Sequence, residues 1–100
     1  MIKLSEEQNH IIKKLLQDNS YDYNKLKASE EFQELALILT QSTIRKTRIE
    51  DQAIIDEIGD CIIRLEILKQ MFDINEIQKR VDFKLRIFKQ YQDSKQYTQI

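Results

Sequence analysis

Ile54-Ile55-Asp56-Glu57-Ile58-Gly59-Asp60-Cys61-Ile62-Ile63-Arg64-Leu65-Glu66-Ile67-Leu68 decides the fold. Its apolar side chains recur at steps of three and four, through Ile54, Ile55, Ile58, Cys61, Ile62, Leu65 and Leu68 to Phe72, which is the period of a helix and not of a strand. The spacing predicts a helix from Glu50 or Asp51 to Met71. Within it Glu57 and Asp60 stand three apart, so the two carboxylates share one helix face. Carboxylates buried in so apolar a segment need compensation. The chain's only glycine, Gly59, falls between them. In a helix it costs about 1 kcal/mol relative to alanine, and another helix crossing close beside the acids would account for it.

Upstream, a second helix is expected from near Asn24, carrying Leu26, Phe32, Leu35, Ala36, Leu37, Ile38 and Leu39. It is apolar around more than half its circumference, which predicts a central helix. It bears another acidic pair, Glu31 and Glu34. Thr40 to Thr47 mixes Ser, Thr and β-branched residues and reads as a connecting loop, made basic by Arg45, Lys46 and Arg48. Further back, Ser5-Glu6-Glu7-Gln8 has the form of a capping box. It opens a first helix with the stripe Ile11, Ile12, Leu15 and Leu16, which stops near Asp18-Asn19-Ser20. Tyr21 to Asn24 reads as a turn. Downstream, Asp73-Ile74-Asn75-Glu76 forms a second capping-box pattern, opening a fourth helix with Ile77, Val81, Leu85 and Phe88 beside Phe83 and Ile87. Gln90 to Gln99 reads as a polar, fraying tail. The expected fold is all-α: a four-helix bundle in one domain over residues 1–100, with an N-terminal helix and turn over 1–24 and the tail over 90–100.

Composition supports that class. The chain has no proline, one glycine and no tryptophan, as long helices joined by short turns require. Sixteen basic and seventeen acidic groups leave a net charge of -1, too little field to recruit nucleic acid or an acidic membrane. The longest wholly apolar run, Leu35 to Leu39, falls far short of the roughly twenty residues a bilayer requires. The single Cys61 has no partner for an intrachain disulfide, and the amino terminus lacks a signal-peptide stretch, so a cytoplasmic protein is expected. Helices this apolar in a small chain predict a homodimer or homotetramer that completes the bundle.

Three acidic pairs stand at i, i+3: Glu31/Glu34, Glu57/Asp60 and Asp73/Glu76. Random placement of that many acids gives roughly three, so setting matters more than spacing. The first two pairs lie on the two most apolar helices. If those helices face each other, four carboxylates converge, and oxygen-only ligation of that kind suits Mg²⁺. Elsewhere the residues read plainly. His10 is alone on its helix and expected in solvent, Cys61 is expected in the core, and Tyr21 and Tyr23 fit either stacking on a base or packing at the mouth of the bundle.

Glu30-Glu31-Phe32-Gln33-Glu34, followed by Glu57-Ile58-Gly59-Asp60, resembles the E-E-x-x-E and E-x-x-D signature of the MazG-like all-α nucleoside triphosphate pyrophosphohydrolases. The stretch from Ile55 to Lys69, with Phe72-Asp73-Ile74-Asn75 and Val81-Asp82-Phe83-Lys84-Leu85, is similar to the short single-domain members of Gram-positive bacteria and their phages. The resemblance spans roughly Leu26 to Tyr91. It implies a hydrolase that cleaves a (d)NTP to the monophosphate and pyrophosphate, with Glu31, Glu34, Glu57 and Asp60 holding Mg²⁺, or Mn²⁺ in its place, and with Glu30 in a supporting position. Lys84 and Lys89 fit the family's phosphate-binding basic positions, while Phe88 stands where relatives carry Asn; Arg64 and Arg80 are weaker candidates. That departure leaves a non-catalytic nucleotide-sequestering protein as an alternative, and a structural helical adaptor as another.

Overall fold

The computed structural model describes residues 2–44 and 48–94. Four α-helices account for nearly all of them, with no strand among the described residues: α1 Glu6–Asp18, α2 Tyr21–Ile44, α3 Asp51–Met71 and α4 Ile74–Asp93.

The ends of these helices follow local chemistry. Ser5 Oγ accepts from the Gln8 amide and Gln8 Oε1 accepts from the Ser5 amide, which completes the expected capping box on α1. Asp73 Oδ1 accepts from the Asn75 amide at 2.8 Å. Glu76 does not complete a box there; it pairs with Lys79 at 3.2 Å. Tyr21 to Asn24, expected as a turn, is helical, because the Ser20 hydroxyl accepts from the Tyr23 amide and starts α2 three residues early. Thr40 to Ile44, expected in a loop, continues α2. The Thr40 and Thr43 hydroxyls donate back to the carbonyls of Ala36 and Leu39, the helix-compatible option for a threonine. Arg45, Lys46 and Thr47 lie outside the described residues, as do residues 95–100 of the expected tail; Gln90 to Asp93 belong to α4.

α3 is the hub. It packs most extensively on α2, then on α1, and only sparsely on α4, so the central helix is α3 and not α2 as its apolarity suggested. Cys61 Sγ donates to the Glu31 carbonyl at 3.3 Å, and Ala28 shares a groove with Leu68, so α2 and α3 run antiparallel. On the α1 side Ile12, Ile67 and Met71 form the core cluster, with Leu4, Leu15, Leu16 and Leu68 packed against it. Ile67 is its anchor at 1% exposure. α4 buries none of its residues. Among the described residues, then, α1 and α3 share the core, α2 packs along α3, and α4 packs sparsely at the end of α3.

Gly59 carries no close neighbour. A Cβ added there would meet nothing within 4 Å, so no helix crosses beside it and the expected close approach is not made.

Candidate metal centre between the second and third helices

Glu31 reaches the candidate site from α2, and Glu57 and Asp60 from α3. One carboxylate oxygen from each lies within 4.8 Å of the other two. The antiparallel α2–α3 contact creates this meeting: Cys61, next to Asp60, is hydrogen-bonded to the backbone of Glu31, and Glu57 sits one turn before Cys61 on the same side of α3. Three of the four carboxylates expected to converge offer oxygens to one point. Glu34, one turn on along α2, is exposed, and its carboxylate lies close enough to Glu31 to act on it through its charge and a side-chain hydrogen bond.

The site is electrostatically frustrated. Glu31 Oε2 and Glu57 Oε2 are both shut off from solvent without a hydrogen-bond partner, a state that costs about 1–3 kcal/mol per group and more where the group is charged. Burial first, then the neighbouring Glu34 and Asp60 carboxylates, push the Glu31 carboxyl above its usual range, while Arg64 pulls the other way. The Cys61 thiol is pushed up by burial and then by Glu31, Glu57, Asp60 and Glu34. Two orphaned carboxylate oxygens on facing helices, with a third acid beside them, fit a hard divalent cation, which takes oxygen ligands and removes the like-charge penalty.

The remaining candidates fall elsewhere. Glu30 pairs with Lys27 at 3.2 Å and raises the Lys27 pKa through that hydrogen bond. Lys84 lies over the Phe88 ring, 5.6 Å from its centroid, and Lys89 pairs with Asp93 at 2.8 Å. Neither lysine forms an ion pair with the three acids among the described residues. Arg80 lies over the Phe83 ring. His10 is exposed, Cys61 is buried, and Tyr21 and Tyr23 are exposed, with Lys27 over the Tyr23 ring. Arg64, only a weak candidate by sequence, is the cation whose field reaches Glu31; its position one turn after Asp60 is the signal that points to it.

No family model, curated protein or solved structure matches the chain. No helix among the described residues is long and apolar enough to cross a membrane.

Proposed function

We propose that the chain is a Mg²⁺-dependent nucleoside triphosphate pyrophosphohydrolase of the MazG-like type, cleaving a (d)NTP to a (d)NMP and pyrophosphate. The observation that carries this reading is the pair of buried, unpartnered oxygens, Glu31 Oε2 and Glu57 Oε2, on opposite sides of the α2–α3 contact. Support also comes from the resemblance of the Glu30–Glu34 and Glu57–Asp60 motifs to that family. Glu31, Glu57 and Asp60 would hold the ion, and Glu34, exposed on the next turn of α2, would approach it from the open side. Bound there, Mg²⁺ would supply charge neutralisation for phosphate oxygens and a lower pKa for a coordinated water.

The chain's own residues do the rest. Glu31 and Glu57, each half-buried, bring one carboxylate oxygen within 4.8 Å of the other, and Cys61 ties the two helices together at that level through the Glu31 carbonyl. Asp60 keeps the site open to solvent, because it is exposed. Arg64 provides a fixed positive charge beside the acids, suited to an anionic substrate. Lys84 and Lys89 meet phosphate in this reading once α4 is brought to the site, and a homodimer or homotetramer in the cytoplasm is the assembly it carries.

Glu57→Gln separates this function from a merely acidic surface. The variant keeps shape and hydrogen-bonding capacity but loses one ligand charge. It should fold, and its pyrophosphate release from NTPs or dNTPs with Mg²⁺ should fall at least about 100-fold, the scale for removal of one strong electrostatic contact in a site. Wild-type turnover in folded Glu57→Gln would end the proposal.

A further inference from the structure

The side of the α2–α3 contact that carries the acids changes sign within one helical turn. On α2, Lys27 stands four residues before Glu31, and on α3 Arg64 stands four residues after Asp60. Four residues of helix rotate a side chain only about 40° and carry it about 6 Å along the axis. Because the two helices run antiparallel, both cations are displaced from the acids in the same direction, toward the start of α2 and the end of α3. Glu30 raises the Lys27 pKa by hydrogen bond and charge while Arg64 opposes it, so the Arg64 charge reaches Lys27 as well as Glu31.

Neither cation forms an ion pair with Glu31, Glu57 or Asp60. Lys27 Nζ stands 3.2 Å from Glu30 Oε2 and 5.7 Å from the centroid of the Tyr23 ring, which fixes the ammonium from two sides. Arg64 is half-buried and forms no ion pair among the described residues. A guanidinium in that state suits phosphate, whose oxygens its planar fork can bind two at a time. In the opposite direction along the contact, the half-buried side chains beyond the acids are Leu35, Ile38 and Ala53, none of them cationic. Charge therefore gives the site a direction.

We infer that Lys27 and Arg64 hold the terminal, pyrophosphate end of the nucleotide, so that its phosphate chain runs from the acids toward the start of α2. The identity of the anion rests on the function proposed above. The subsite lies within one α2–α3 pair and requires no movement of α4. In the free protein Glu30 engages Lys27, and pyrophosphate takes the place of Glu30 on binding.

Calorimetric titration of the full chain with inorganic pyrophosphate in excess Mg²⁺ tests this without turnover, with the helicity of each variant checked by circular dichroism. The wild type should bind pyrophosphate. Lys27→Gln and Arg64→Gln should each weaken that binding about ten-fold or more, the scale of one lost hydrogen bond to a charged group. Mg²⁺ alone should raise the melting temperature of both variants at least as much as that of the wild type, since no acid is touched; a general disruption of the site weakens both responses. Glu30→Gln removes the rival for Lys27 and should tighten pyrophosphate binding about two- to five-fold, a gain that a purely structural lysine does not give. Should Arg64→Gln lose helicity, Arg64→Lys replaces it; without the fork it should weaken pyrophosphate binding and leave the Mg²⁺ response intact. No pyrophosphate binding by the wild type, unchanged binding in the Lys27 and Arg64 variants, equal loss of the Mg²⁺ response, or no gain in Glu30→Gln would each overturn the subsite. The two readings fail separately. Product from a nucleotide with unaltered pyrophosphate binding in the variants removes the subsite alone, whereas pyrophosphate binding that needs both cations, with no product from any nucleotide, removes the reaction alone.

Discussion

Asn24 and Glu31 lie seven residues apart on α2, and both bury polar atoms without partners. For Asn24, at 1% exposure, neither Oδ1 nor Nδ2 is hydrogen-bonded, and no charge is present to recruit an ion. Replacing it with an apolar group of similar size removes the penalty without opening a cavity. Asn24→Leu should therefore raise stability by about 1–3 kcal/mol, read as a higher urea midpoint with unchanged slope. Glu31 differs because its charge is useful if a cation binds. Its folded-state pKa is raised above the 4.5 of a free side chain, so the folded chain binds a proton more tightly than the unfolded one. The sign follows: Glu31 imposes no net penalty below the unfolded pKa, and the metal-free protein loses stability as pH rises through that value to the folded one. Urea midpoints in EDTA from pH 4 to pH 8 should fall with pH for the wild type and fall less for Glu31→Gln. Added Mg²⁺ should restore the wild type at pH 8 and leave Glu31→Gln nearly unmoved.

The existence of all four helices among the described residues was legible, because stripes such as Ile11-Ile12-Leu15-Leu16 and Ile77-Val81-Leu85-Phe88 encode it locally. Caps were legible for the same reason at Ser5 and Asp73. The ends of α2 were not, since a threonine in a loop and one donating to the carbonyl four residues back look alike in sequence. Apolar content also misled: α2 has as many large apolar residues as a central helix needs, yet Leu26, Leu37 and Leu39 are exposed, and only tertiary pairing shows that α3 is the hub. In the site, the meeting of α2 and α3 acids followed from their apolar setting, whereas the solvent exposure of Glu34 depends on helix rotation at the contact. Gly59 was read as a close approach and is open. With no neighbour to strike, Gly59→Ala should gain about 1 kcal/mol of helix propensity. A loss would mean that the position needs glycine for something other than space. Ile67→Ala, by contrast, empties the α1–α3 core and should cost about 2–5 kcal/mol in chemical denaturation.

At the scale of the molecule, the acidic cluster between α2 and α3 holds two carboxylate oxygens without hydrogen-bond partners, and the Arg64 charge that reaches Glu31 offsets only part of the like-charge repulsion. A divalent cation would relieve it. The proposed chemistry rests on that cluster. The most direct measurement is an assay for monophosphate and pyrophosphate from the canonical NTPs and dNTPs in Mg²⁺, run on wild type and folded Glu57→Gln. The account predicts both products in equal amounts from at least one nucleotide, abolished by EDTA and reduced at least about 100-fold in the variant. Absence of pyrophosphate from every nucleotide, or equal rates for the two proteins, would contradict it.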